Sequence, residues 1–150
     1  MDKIIKFVIL FVVGVVLFNS IIFIGLGVYK SIHGYALLIH GDMAARPGVH
    51  IAEALDSFLI AIFFIIFSIG VAKLFLPGST LFKNYELPWL KLDSFSSLKL
   101  VLWEMLLTSL FVYFVAAIII NADHMDWKTL ITPASILMLS IAYKFLKGGH

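Results

Sequence analysis

The chain has 150 residues, of which 62% are hydrophobic and only 13% charged, and its mean hydropathy is +1.07. Soluble domains carry about a quarter charged residues, so a water-soluble fold is excluded. A net charge of +2 from scattered basic residues offers no basic face for nucleic acid, and the absence of cysteine removes disulfides, thiolate metal sites and cysteine nucleophiles.

Lys3 and Lys6 precede an almost unbroken apolar run, and residues 4–29 read as the first span. The run exceeds the roughly 7–15 residues of a signal-peptide core and has no small-residue cleavage site after it, so it is expected to be retained. Asn19 is read as an interhelical hydrogen-bond former, and Gly14, Gly25 and Gly27 as places where another helix approaches closely. Residues 30–50 read as a loop with turn chemistry at Gly41-Asp42 and Pro47-Gly48. Its apolar run Tyr35 to Ile39 is too short to cross, so it is expected to dip into the interface or cover the bundle.

Residues 51–76, IAEALDSFLIAIFFIIFSIGVAKLFL, form the second span, with Glu53 and Asp56 near its start and Pro77-Gly78 ending it. Ser57, Ala61, Ser68 and Ala72 fall within about 60° around this helix, with Glu53 at their edge, so the stripe is expected to face a packed neighbour. Residues 82–95 mix Tyr85 and Trp89 with Lys83 and Lys91, the composition of an interfacial segment. Asp93, Ser94 and Ser96 offer N-caps for the third span, residues 97–120. In that span Lys99 is close enough to the end to snorkel, whereas Glu104, roughly 10 Å in, should face the bundle or a wet cavity. The last span, residues 129–146, has Pro133 near its start, where a bend is expected; Thr129, one turn earlier, can help satisfy the freed carbonyl. The expected fold is all-α and polytopic, a single transmembrane domain over residues 1–150 with four helices and an interfacial segment between spans two and three.

Lys3, Lys6, Lys73, Lys83, Lys91, Lys99, Lys144 and Lys147 fall on one side of the membrane, and Lys30, Arg46 and Lys128 on the other. The richer side is expected to be cytoplasmic, with both termini inside, in a cell (inner) membrane. Histidines and acids then collect outside: His40, His50, His124 and Asp123 are candidates for an outer metal or pH-sensing cluster, since imidazole and carboxylate ligate zinc or copper. No HExxH or HxxxH spacing supports it, the metal is left unknown, and the plainer reading is that polar residues gather where the protein meets water.

Glu53 and Asp56, three residues apart, lie on neighbouring positions of one helical surface, and Glu104 and Thr108 share a face of the third span. A charge inside the bilayer costs a few kcal/mol or more unless paired, protonated or hydrated. Asp56 is therefore either a cation or proton site or a hydrogen-bond partner to another helix. Counted from the ends of the spans, Asp56 and Glu104 are expected about 15–20 Å apart along the membrane normal, two ends of one polar route.

The run Asp56-Ser57-Phe58-Leu59-Ile60-Ala61, then Gly70, Leu74-Phe75, Pro88-Trp89-Leu90 and Leu98-Lys99 resembles the YqhA-like family of small bacterial, archaeal and plastid membrane proteins, a functionally uncharacterised family. The similarity covers residues 50–118, and the family features present are Asp56, Gly70, Trp89 and Lys99. The resemblance implies a small, oligomeric multi-span membrane protein. Lys73 stands where an acid is usual, so no carboxylate role carries over to that end of the second span.

The expected function is an oligomeric channel or transporter for a small inorganic ion, a cation or proton, through Glu53, Asp56, Glu104 and Thr108. The alternative is a non-conducting membrane module for assembly, stress sensing or lipid organisation, with the same carboxylates as polar glue. The expected partners are the lipid bilayer and further copies of the chain; no enzymatic activity, cofactor or nucleic-acid partner is expected.

Overall fold

The computed structural model describes residues 3–76, 94–120 and 126–148. Four helices long and apolar enough to cross a membrane occupy them: α1 (Lys3–Ile39), α2 (Pro47–Phe75), α3 (Phe95–Ile120) and α4 (Ile131–Gly148), the last entered through a 3-10 turn at Trp127–Leu130. The interfacial segment of residues 82–95 falls almost entirely outside the described residues.

α1 corrects the expected loop of residues 30–50. The helix continues through Lys30 to Ile39, because the stretch holds one isolated glycine, Gly34, and no proline to stop it. At about 1.5 Å per residue α1 is roughly 55 Å long against a hydrocarbon core of about 30 Å, so the Tyr35–Ile39 run is its last turn rather than a dipping loop. Its terminator is Gly41, at φ 71: Gly41 N–H donates to Leu38 O (3.2 Å) and Asp42 N–H to Leu37 O (3.0 Å), the paired bonds of a Schellman end. Pro47, expected in a turn, instead opens α2, where its missing N–H is no loss.

Polar caps start the later elements. Ser94 caps α3 by accepting the Ser97 N–H (3.2 Å), and Asp126 accepts the Trp127 N–H (3.2 Å) ahead of the 3-10 turn. Pro133 sits in the first turn of α4, and the change from 3-10 to α comes just before it.

The tightest seam joins α1 to α2, and it has a seven-residue period on both sides. The buried residues of α1 are Val13, Ser20, Gly27 and Gly34; those of α2 include Pro47, Ala54, Ala61 and Ser68. A heptad repeat of small side chains lets two antiparallel helices wind left-handedly about each other at close range. Gly27 shows how close: a methyl there would stand 2.6 Å from Phe58 Cε1. Gly14 and Gly25, expected to be similar, face open space. Ser20 is buried and donates to Leu17 O (2.6 Å), while Asn19 is half-buried and bonds to no other helix among the described residues.

The other side of α2 meets α3. Leu98, 1% exposed, packs with Ile66 beneath Val71, Leu74, Val101, Leu102 and Met105. Gly70 makes room for it, since a methyl there would lie 2.5 Å from Leu98 Cδ1. α3 in turn packs on α4, which buries no residue. Among the described residues the extensive helix contacts therefore run in chain order, α1 on α2, α2 on α3 and α3 on α4. The result is a row with two broad apolar faces.

Candidate functional site

Each carboxylate of the spans is held by an adjacent helix of the row. Glu53 on α2 pairs with Lys30 on α1 at 3.5 Å. Asp56, half-buried on α2, accepts a hydrogen bond of 2.6 Å from the Ser109 hydroxyl on α3. Glu104 on α3 accepts through Oε1 from the Tyr143 hydroxyl on α4. Three seams thus carry one polar clasp each.

The clasps descend across the row. Glu53 and Asp56 are three residues apart on α2, and Glu104 lies five residues below Ser109 on α3, about 7.5 Å by the helix rise. Asp56 and Glu104 are therefore much closer in depth than the expected 15–20 Å. The reason is that α2 begins at Pro47, four residues before the expected span, which carries Asp56 more than two turns down the helix. Glu53 and Asp56 also part company: one turns to α1 and the other to α3, so the structure does not bring them onto a common ion.

The small-residue stripe is where it was expected. Ser57, Ala61, Ser68 and Ala72 are all buried. Ser57 donates back to Glu53 O (2.9 Å), whereas the Ser68 hydroxyl is fully enclosed with no partner among the described residues. Asp56 stands off this stripe.

Glu104 and Thr108 do share a face. They border an open pocket of about 300 Å³ between α2 and α3, otherwise lined by Leu59, Ile62, Ile66, Val101 and Met105. Glu104 is exposed there rather than turned into a bundle, since a row has no enclosed interior. The Thr108 hydroxyl donates to Glu104 O (2.8 Å). Lys99 is exposed, its ammonium 4.6 Å from the centre of the Phe95 ring.

At the opposite end from the termini, His50 of α2 meets His33 of α1 edge-on, with ring centres 4.8 Å apart, and Tyr29 stacks on His33 at 6.3 Å. His40 is exposed and its Nδ1 lies 2.7 Å from Ala36 O. Asp42 is occupied locally, accepting from the Ala45 N–H at 3.1 Å. His124 and Asp123 lie outside the described residues, and among the described residues no group of three or more acids and histidines is placed to hold a metal.

Arg46 is the feature that sequence reasoning missed. It adopts a left-handed conformation (φ 50) just before Pro47 and sends its guanidinium to Ile119 O and Ile120 O at the end of α3. Carbonyls there are unpaired by the helix and carry its negative dipole end, so a cation satisfies both needs. The only signal in the sequence was a lone arginine in a short polar connection.

Of the features shared with the YqhA-like pattern, Asp56 and Gly70 both sit at the α2–α3 seam, Lys99 follows the Leu98 that fills Gly70's space, and Trp89 lies outside the described residues. No curated protein and no solved structure gives a significant match to the chain. Residues 4–118, which take in α1, α2 and nearly all of α3, match the uncharacterized protein family UPF0114, the family of YqhA, and the chain belongs to it.

Proposed function

We propose that the protein is a non-conducting membrane module for assembly, a row of four helices whose acids hold its neighbours together. One observation carries this: Glu53, Asp56 and Glu104 are each engaged by a different adjacent helix. Carboxylates distributed over separate seams are suited to orienting helices and poorly suited to handing an ion from one to the next. No catalytic step belongs to this reading. The test is ion and proton flux into sealed liposomes holding wild-type protein, Asp56→Asn or Glu104→Gln. The module reading expects no flux above empty liposomes for any of them; wild-type flux that either substitution alters overturns it.

A second reading, an oligomeric channel or transporter for a small cation or proton, is favoured by Glu104 and Thr108 standing exposed on the α2–α3 pocket. Since a row has no interior, its route would run between copies, and the same flux measurement decides it.

Four spans bring both termini to one side, and the lysine bias supports a cell membrane with that side cytoplasmic. Met43→Cys, in the α1–α2 connection, is then labelled by an impermeant maleimide added outside intact cells. Labelling only after lysis would reverse the orientation.

A further inference from the structure

Glu104 and Lys144 are opposite charges at one depth that the chain itself keeps apart. The Tyr143 hydroxyl bonded to Glu104 ties that level of α4 to that level of α3. Lys144 is the next residue, so it stands within about 1.5 Å of the same height along the helix. It lies about 100° further round α4, away from α3, on a helix with no buried residue. Among the described residues Lys144 has no ion pair or hydrogen bond, and Glu104 has no bond beyond Tyr143 and its own Thr108. Glu104 Oε2 is thus a free carboxylate oxygen at a depth where lipid offers nothing to solvate it.

Every copy of a membrane protein sits at the same height in the bilayer, so the Lys144 of one copy comes level with the Glu104 of another. We propose that copies of this chain associate through these two surfaces, with the outer face of α4 from one copy seated in the α2–α3 pocket of another and Lys144 paired with Glu104. Ile141, Lys144 and Phe145 share one face of α4 at the spacing i, i+3, i+4, and they border an open hollow there. The receiving pocket offers Leu59 and the exposed Ile62 to the apolar pair and Glu104 to the ammonium between them. Two such pockets set face to face would put Glu104 against Glu104 with no cation between them, which charge repulsion disfavours. The donating and receiving surfaces differ, so the contact is made either head to tail about an axis along the membrane normal or twice across a two-fold, Lys144 to Glu104 in both directions. The contact requires no ion path and goes beyond the reading above: an assembly joined this way either conducts or does not.

The test leaves both charges in place and puts cysteines one turn away on each surface, which the cysteine-free chain makes clean. Thr108→Cys and Ile141→Cys, made in separately tagged copies and co-expressed, are treated in membranes with a short bismaleimide. The expected product is a cross-linked pair carrying both tags, absent when either variant is expressed alone. Adding Glu104→Gln, which keeps an acceptor for Tyr143, or Lys144→Gln is expected to lower its yield at least tenfold, and the exchange Glu104→Lys with Lys144→Glu to restore it. Absence of a cross-link between copies overturns the proposal in favour of lipid on this face. So does a cross-link that either neutralisation leaves unchanged. Native mass spectrometry of the wild type supplies the second readout, and a monomer there also overturns it. Flux plays no part, so the fate of the module reading is decided separately.

Discussion

Asp56 is tolerated more than two turns into a membrane helix because Ser109 solvates it, and a neighbouring hydroxyl shows the opposite case. The Ser109–Asp56 bond is 2.6 Å and crosses between helices, whereas the Ser68 hydroxyl is 0% exposed and unpartnered in the α1–α2 seam. Interhelical hydrogen bonds in membranes contribute about 0.6 kcal/mol on average and up to ~1.7. A buried hydroxyl left without a partner costs about 1–3 kcal/mol. The two serines should therefore respond to alanine with opposite signs. Ser109→Ala is expected to lower the free energy of unfolding in mixed micelles by about 1 kcal/mol. Ser68→Ala, on the stripe that already carries Ala54 and Ala61, is expected to raise it by a similar amount. Equal losses for both would mean that Ser68 has a partner. Asp56 was legible in the sequence because a carboxylate inside an apolar run must find a donor or a proton. Ser109, Lys30 and Tyr143 were not, since a serine within a span, a lysine after one and a tyrosine near the end of one are ordinary until the neighbouring helix is known.

Hydropathy reads the helices well and their ends and contacting faces badly. α1, α2 and α3 are apolar nearly all the way round, so no polar stripe marks which side meets protein, and Lys30 made the first span look finished nine residues before Ile39. What could be read was the run of small residues in α2, because only small side chains let helix backbones approach in lipid. The matching run in α1 was obscured by glycines that are not part of it. Gly27 and Gly14 separate these cases: an added methyl meets the Phe58 ring at 2.6 Å in the first and nothing within 4 Å in the second. Gly27→Ala is expected to destabilise the α1–α2 pair by about 1–3 kcal/mol through overpacking. Gly14→Ala gains helix propensity of up to about 1 kcal/mol and should be neutral or stabilising. Thermal unfolding of the two variants beside wild type reads the difference, and a loss at both positions would show that the α1 face bearing Gly14 is itself covered.

Packing in chain order makes the whole molecule more like a short repeat array than a bundle with one core. α2 has partners on two sides, α1 and α3 take their extensive contacts from chain neighbours, and α4 leans on α3 without burying a residue. In such an array stability is a sum of nearest-neighbour terms, and loosening one seam leaves a distant seam as it was. The sequence could not announce this, because four apolar spans are equally compatible with a closed bundle. Tyr143→Phe tests it at the end of the row: it removes the hydroxyl held by Glu104 and leaves the ring that Lys147 covers at 5.8 Å. The loss of one interhelical bond, about 0.6–1.7 kcal/mol, should raise amide exchange in α4 by a factor of about 3–18. Amides of α1 and α2 should exchange at wild-type rates, because no contact that they make has changed. Exchange measured by mass spectrometry in detergent separates the outcomes. A rise confined to α4 and the facing turns of α3 is what nearest-neighbour packing requires. An equal rise in all four helices would mean that the seams melt together, and that the α3–α4 clasp bears on the stability of every helix in the row.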